Sequence, residues 1–126
     1  MRFLLFLPVL LVAAGCGNDL STHKGCIEAQ ADAANDLAAV FDRIKDTSTA
    51  KSAQSDIEAC SKRMAEAQKA MMNLKEELSV SDMEKMESVG QKLAAATQKQ
   101  QEAFMKLVDR LKDNPEAQAI VEKALR

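Results

Sequence analysis

Polar and apolar positions in this chain repeat with helical period almost from end to end. From residue 50 to residue 78, Ala50, Ala53, Ile57, Cys60, Met64, Ala67, Met71, Leu74 and Leu78 alternate steps of three and four. That is a heptad seam of the coiled-coil kind. Lys62, Arg63, Glu66 and Lys69 lie off it. Thr47 and Ser48 offer N-caps, while Ser55-x-x-Glu58 reads as a capping box that would start the helix later. A third helix should follow Ser81-Asp82-Met83-Glu84, a capping box with an acid where the helix dipole favours one. Its stripe runs Met86, Val89, Leu93, Ala96, Phe104, Leu107 and Leu111, with Gln100 where an apolar residue would continue it. Gly90 either permits a close helix approach or is simply tolerated there.

A first helix, starting between Leu20 and Ile27, carries Ile27, Ala31, Ala34, Leu37, Ala38, Phe41 and Ile44 on one side. Asn114-Pro115 ends the third helix and opens a short fourth, with Asn as cap and Pro at the first helical position. Ala117, Ile120, Val121 and Ala124 are its apolar side. The links at 45–48 and 79–81 are short, so neighbouring helices should run antiparallel. The expected fold is all-α. It is a slim antiparallel three-helix bundle of long helical hairpins with a short C-terminal fourth helix, over residues 26–126.

The first fifteen residues read differently. Met1-Arg2 supplies one positive charge, and Phe3 to Ala14 is continuously apolar. Such a run suits a secretory signal peptide and falls short of the roughly 20 residues that span a bilayer. It ends in Leu11-Val12-Ala13-Ala14-Gly15-Cys16, which resembles the lipobox of bacterial lipoproteins, with Ala13 where Leu is commoner. The resemblance implies cleavage before Cys16 and diacylglycerol, with acyl groups of the palmitate type, on its sulfur. Ordinary signal cleavage after Gly15, leaving a soluble protein with a free thiol, is the competing reading. Residues 16–25 would then be the lipidated Cys and its tether, at a cell membrane or outer membrane and facing the periplasm or the exterior. Gly17, rather than an Asp after the Cys, points to the outer membrane where the host has one. Ile44-Lys45-Asp46-Thr47-Ser48-Thr49-Ala50-Lys51, followed by an Ala-rich helix, also resembles a segment of small bacterial helical lipoproteins. That likeness carries over no activity and no functional residue.

Composition narrows the chemistry. Of 126 residues, 17 are basic and 19 acidic, and Arg2 would leave with the leader. A mildly acidic domain argues against a nucleic-acid partner. Only Phe41 and Phe104 lie beyond the leader among the aromatics, too few for base stacking. Export would place Cys26 and Cys60 in an oxidising compartment, which makes them a candidate disulfide. Straight helices oppose an intrachain bond, because the two lie at different heights along a hairpin. Intrachain, interchain and unpaired states therefore stay open.

No residue set suggests catalysis, a cofactor or a metal site, so the chain reads as a non-enzyme. His23 is the lone histidine, in the tether region. Carboxylate pairs such as Asp32 with Asp36, or Glu76 with Glu77, fit solvated helix faces. Met64, Met71, Met72, Met83 and Met86 pack in a core or line an adaptable groove. Gln30 and Gln100 form a polar layer or face solvent. The expectation is a membrane-anchored, non-catalytic interaction or structural module of the cell envelope. Its partners would be membrane lipid through acylated Cys16, with a protein partner or self-association. The alternative is a periplasmic binding protein holding an apolar ligand or a metal on Met-rich helix faces.

Overall fold

The computed structural model describes residues 19–74 and 80–126, apart from the side chains of Ser81 and Asp82. The leader, Cys16 and Leu78 lie outside these residues. The described residues form four helices and no strand: α1 (His23–Arg43), α2 (Thr47–Met72), α3 (Val80–Arg110) and α4 (Pro115–Leu125).

Each start has a local cause. Thr22 caps α1 by accepting from the Gly25 N–H, so His23, Lys24 and Gly25 are helical rather than tether. Asp46, not Thr47 or Ser48, caps α2. Its carboxylate accepts from the Thr49 N–H at 2.8 Å, and the Thr49 hydroxyl takes the Asp46 N–H at 3.0 Å. This reciprocal box satisfies two donors at once, and neither Thr47 nor Ser48 takes part in it. The Ser55 box is passed over within the helix. Asn114 caps α4 through the Ala117 N–H at 3.0 Å, with Pro115 as the first helical residue. α3 is helical from Val80, ahead of the expected Ser81 cap, whose side chain is outside the described set.

α2 ends sooner than its seam suggests. Asn73 closes it, its N–H shared between the Lys69 and Ala70 carbonyls, and Leu74 is half-buried beyond the helix. The packing register explains this. Ion pairs Arg43–Asp56 (3.0 Å) and Arg63–Asp36 (2.7 Å) align α1 and α2 antiparallel. Residue 74 is thereby level with Gly25, where α1 is only beginning. Past the level of His23 no helical surface of α1 remains for the seam to cover.

α1 is the shared neighbour of α2 and α3, and α4 packs along α2. Among the described residues, α2 and α3 do not pack along each other. The main core joins Leu37, Phe41 and Ile44 of α1 to Ile57 of α2, Leu107 of α3 and Val121 of α4, with Leu111 in the α3–α4 turn. A second cluster sets Ala31 and Ala34 against Ala96, where small side chains let two backbones approach. On α3, Ala103 is buried where the stripe pointed to Phe104; Phe104 turns aside and meets the Phe41 ring at 5.4 Å between centroids. That contact makes α1 and α3 level at these two residues. Gly90 is exposed, with nothing within 4 Å of where a Cβ would sit, so it serves no close approach.

Candidate interaction surface

The chain enters the fold through a tight turn over the start of α1. The Asp19 carboxylate accepts from the Ser21 N–H at 2.9 Å and from the Ser21 hydroxyl at 2.5 Å. These bonds, the side-chain one first, hold the Asp19 carboxyl below the usual range. The Thr22 N–H donates to the Asp19 carbonyl, and the Cys26 thiol donates to the Leu20 carbonyl at 3.4 Å. Gly25 permits this wrap, since a Cβ there would collide with the Asp19 carbonyl. Cys16 would stand three residues upstream of Asp19, no more than about 10 Å of extended chain.

Cys26 and Cys60 are separate, buried, free thiols. The α1–α2 register places Cys60 level with Ala39, so about 20 Å of helix axis separates it from Cys26. A disulfide tolerates no more than about 7 Å between Cα atoms. Burial raises both thiol pKa values. For Cys26 the nearby Asp19 charge adds to it; for Cys60, Arg63 and Arg43 oppose what burial, Asp36 and Asp56 do.

Of the five methionines expected in a core or along a groove, Met64 packs against the main core, Met71 and Met86 are half-buried, and Met72 and Met83 are exposed. Gln30 and Gln100 form no shared layer: Gln30 is buried on α1 with its Nε2 lacking a hydrogen-bond partner. Gln100 is half-buried on α3, level with Leu37, about 10 Å further along the axis. Asp32 and Asp36 are exposed. Glu76 and Glu77 lie outside the described residues. His23 opens α1. Among the described residues, no three His, Cys, Asp or Glu side chains gather as a metal site would require, and no helix is long and apolar enough to cross a membrane.

What the periodicity did not flag is an exposed apolar ridge on the second half of α3. Phe104 is partly exposed, Met105 is 71% exposed and Val108 49%. Shallow grooves flank it. One, of about 310 Å³, lies between α3 and α4 and is lined by Phe104, Val108, Leu111, Gln118 and Val121. The other, of about 370 Å³, runs from Phe41 and Gln101 past Met105 to Leu125. Phe104 belongs to both. The available signal was Met105 with Val108, apolar at a spacing of three and off the stripe. Compared with known proteins, the chain matches no family model, no curated protein and no solved structure.

Proposed function

We propose that the chain is an exported bacterial lipoprotein, held at a cell or outer membrane by acyl groups on Cys16, and that its domain acts by contact rather than catalysis. The observation that carries this reading is Leu11-Val12-Ala13-Ala14-Gly15-Cys16 at the end of an apolar leader. On this reading residues 1–15 are removed, membership of the small helical lipoproteins follows, and the mature domain is a slim, antiparallel three-helix bundle with a short fourth helix. The ridge of Phe104, Met105 and Val108 supports contact, because apolar side chains grouped on one surface favour a protein partner or self-association.

A photo-crosslinking residue at Val108, compared with one at exposed Glu58, tests this in intact envelopes. The expected outcome is a discrete adduct from position 108 alone. Equal or absent adducts from both positions would overturn the contact reading. A second reading has one observation in its favour: the 310 Å³ groove is at the small end of ligand pockets. An apolar ligand held there would appear as retained mass in native mass spectrometry.

A further inference from the structure

We propose that the end of the bundle nearest Cys16 rests on the bilayer itself, inserting the exposed apolar side chains Val80 and Met83 at the tip of α3 among the lipid headgroups. This rests on the reading that Cys16 is acylated.

The exposed large apolar residues among those described fall into two groups. One is the α3 ridge at Phe104, Met105 and Val108. The other lies toward the opposite end, with Leu20, Met72 and, at the tip, Val80, 74% exposed, and Met83, 56%. Register explains why the tip pair is uncovered. With Phe41 level with Phe104, the first residue of α1, His23, is level with about Met86. Lys24 and Glu28 of α1 accordingly border one cleft with Lys85 and Val89 of α3. Val80 and Met83 continue the stripe of Met86, Val89 and Leu93 past the point where α1 stops, so α3 overhangs by about 9 Å. Met72, in the last turn of α2, is level with Ile27, about 15 Å along the axis from Val80, and so stands back from this tip.

The anchor names the occupant. Cys16 is tied by only three residues to the turn at Asp19, which lies against Gly25. A lipid on that sulfur holds this end, and not the ridge, at the membrane surface. The tether makes contact effectively intramolecular, so a small apolar tip suffices where it would fail alone. Charges beside the tip are mixed, with Lys24 and Lys85 against Glu84 and Glu87. The contact is therefore apolar and needs no anionic lipid.

The chain has no Trp, so one introduced indole reports unambiguously. The full lipoprotein, processed by its host and reconstituted into phosphatidylcholine vesicles with brominated acyl chains, is compared as M83W, V80W and M105W. The indole at 83 and at 80 should be blue-shifted and quenched several-fold more than at 105, equally with phosphatidylglycerol present or in high salt. Adding V80D to M83W should abolish its quenching while the protein still floats with the vesicles. Flotation with equal quenching at all three positions overturns the inference alone. Quenching that appears only with phosphatidylglycerol also overturns it. A protein that does not float overturns the anchored reading, and the inference with it.

Discussion

Arg110 donates from Nη2 to the carbonyl oxygen of Phe41 at 2.7 Å, across 69 residues of chain. Its Nε donates to the Ile44 carbonyl at 3.1 Å. The last carbonyls of a helix have no partner within it, and a cation suits the negative end of the helix dipole. One side chain of α3 thus closes the C-terminal end of α1. It also links the hairpin of α1 and α2 to the turn that leads into α4. Arg110→Ala should lower stability by about 1.5–3 kcal/mol, the range for hydrogen bonds to a charged group. Arg110→Lys should recover only part of it, lacking the forked donors. Urea unfolding midpoints check this; an unchanged midpoint in Arg110→Ala would mean the clamp contributes nothing.

Two glycines should respond with opposite signs. At Gly25 an added Cβ meets the Asp19 carbonyl and the Thr22 hydroxyl, so Gly25→Ala should displace the entry turn and destabilise. At Gly90 the space is open, and Gly90→Ala should raise stability by about 0.5–1 kcal/mol through helix propensity. Thermal unfolding of the two variants beside the parent reads both effects. A stabilising Gly25→Ala would contradict the packed turn.

Acid should weaken the start of α2. Hydrogen bonds from Thr49, its backbone N–H first and then its hydroxyl, lower the Asp46 pKa. A carboxyl lowered on folding contributes stability that is present above its unfolded pKa of about 4 and lost as pH falls through the folded value. Asn caps about as well as Asp and does not titrate. Stability followed from neutral pH to pH 3 should therefore fall less steeply in Asp46→Asn than in the parent. Parallel curves would remove Asp46 from the acid response.

Cys26 and Cys60 should behave as protonated, shielded thiols near neutral pH, since burial raises both. Alkylation should be slow in the folded protein and fast in denaturant. Non-reducing electrophoresis should show no faster-moving intrachain form. Rapid labelling of both thiols without denaturant would contradict their burial.

Much of the helical organisation is written in local signals. Asn114-Pro115 specifies the start of α4 because cap and ring geometry act within one turn. Tertiary register is another matter. The seam of α2 runs on to Leu78 in the sequence, but the helix ends at Met72, within about a turn of the level at which α1 begins. Likewise nothing in the spacing of α3 says that Ala103 is buried and Phe104 is turned outward, as that depends on the Phe41 ring across the interface. The choice of Asp46 over Thr47 as cap turned on Thr49, whose reciprocal bond no single-residue preference reveals. The candidate surfaces follow the same division. Cys16 reads from six consecutive residues, whereas the ridge and the overhanging tip exist only once helices of unequal length are laid side by side.

Membrane anchoring rests on the sulfur of Cys16. Metabolic labelling with a fatty-acid analogue, in wild type and in Cys16→Ala, measures its acylation directly. Label in the wild type that survives denaturing electrophoresis, together with none in Cys16→Ala, is expected of an acylated Cys16. An unlabelled wild type, or label persisting in Cys16→Ala, would show that Cys16 carries no lipid.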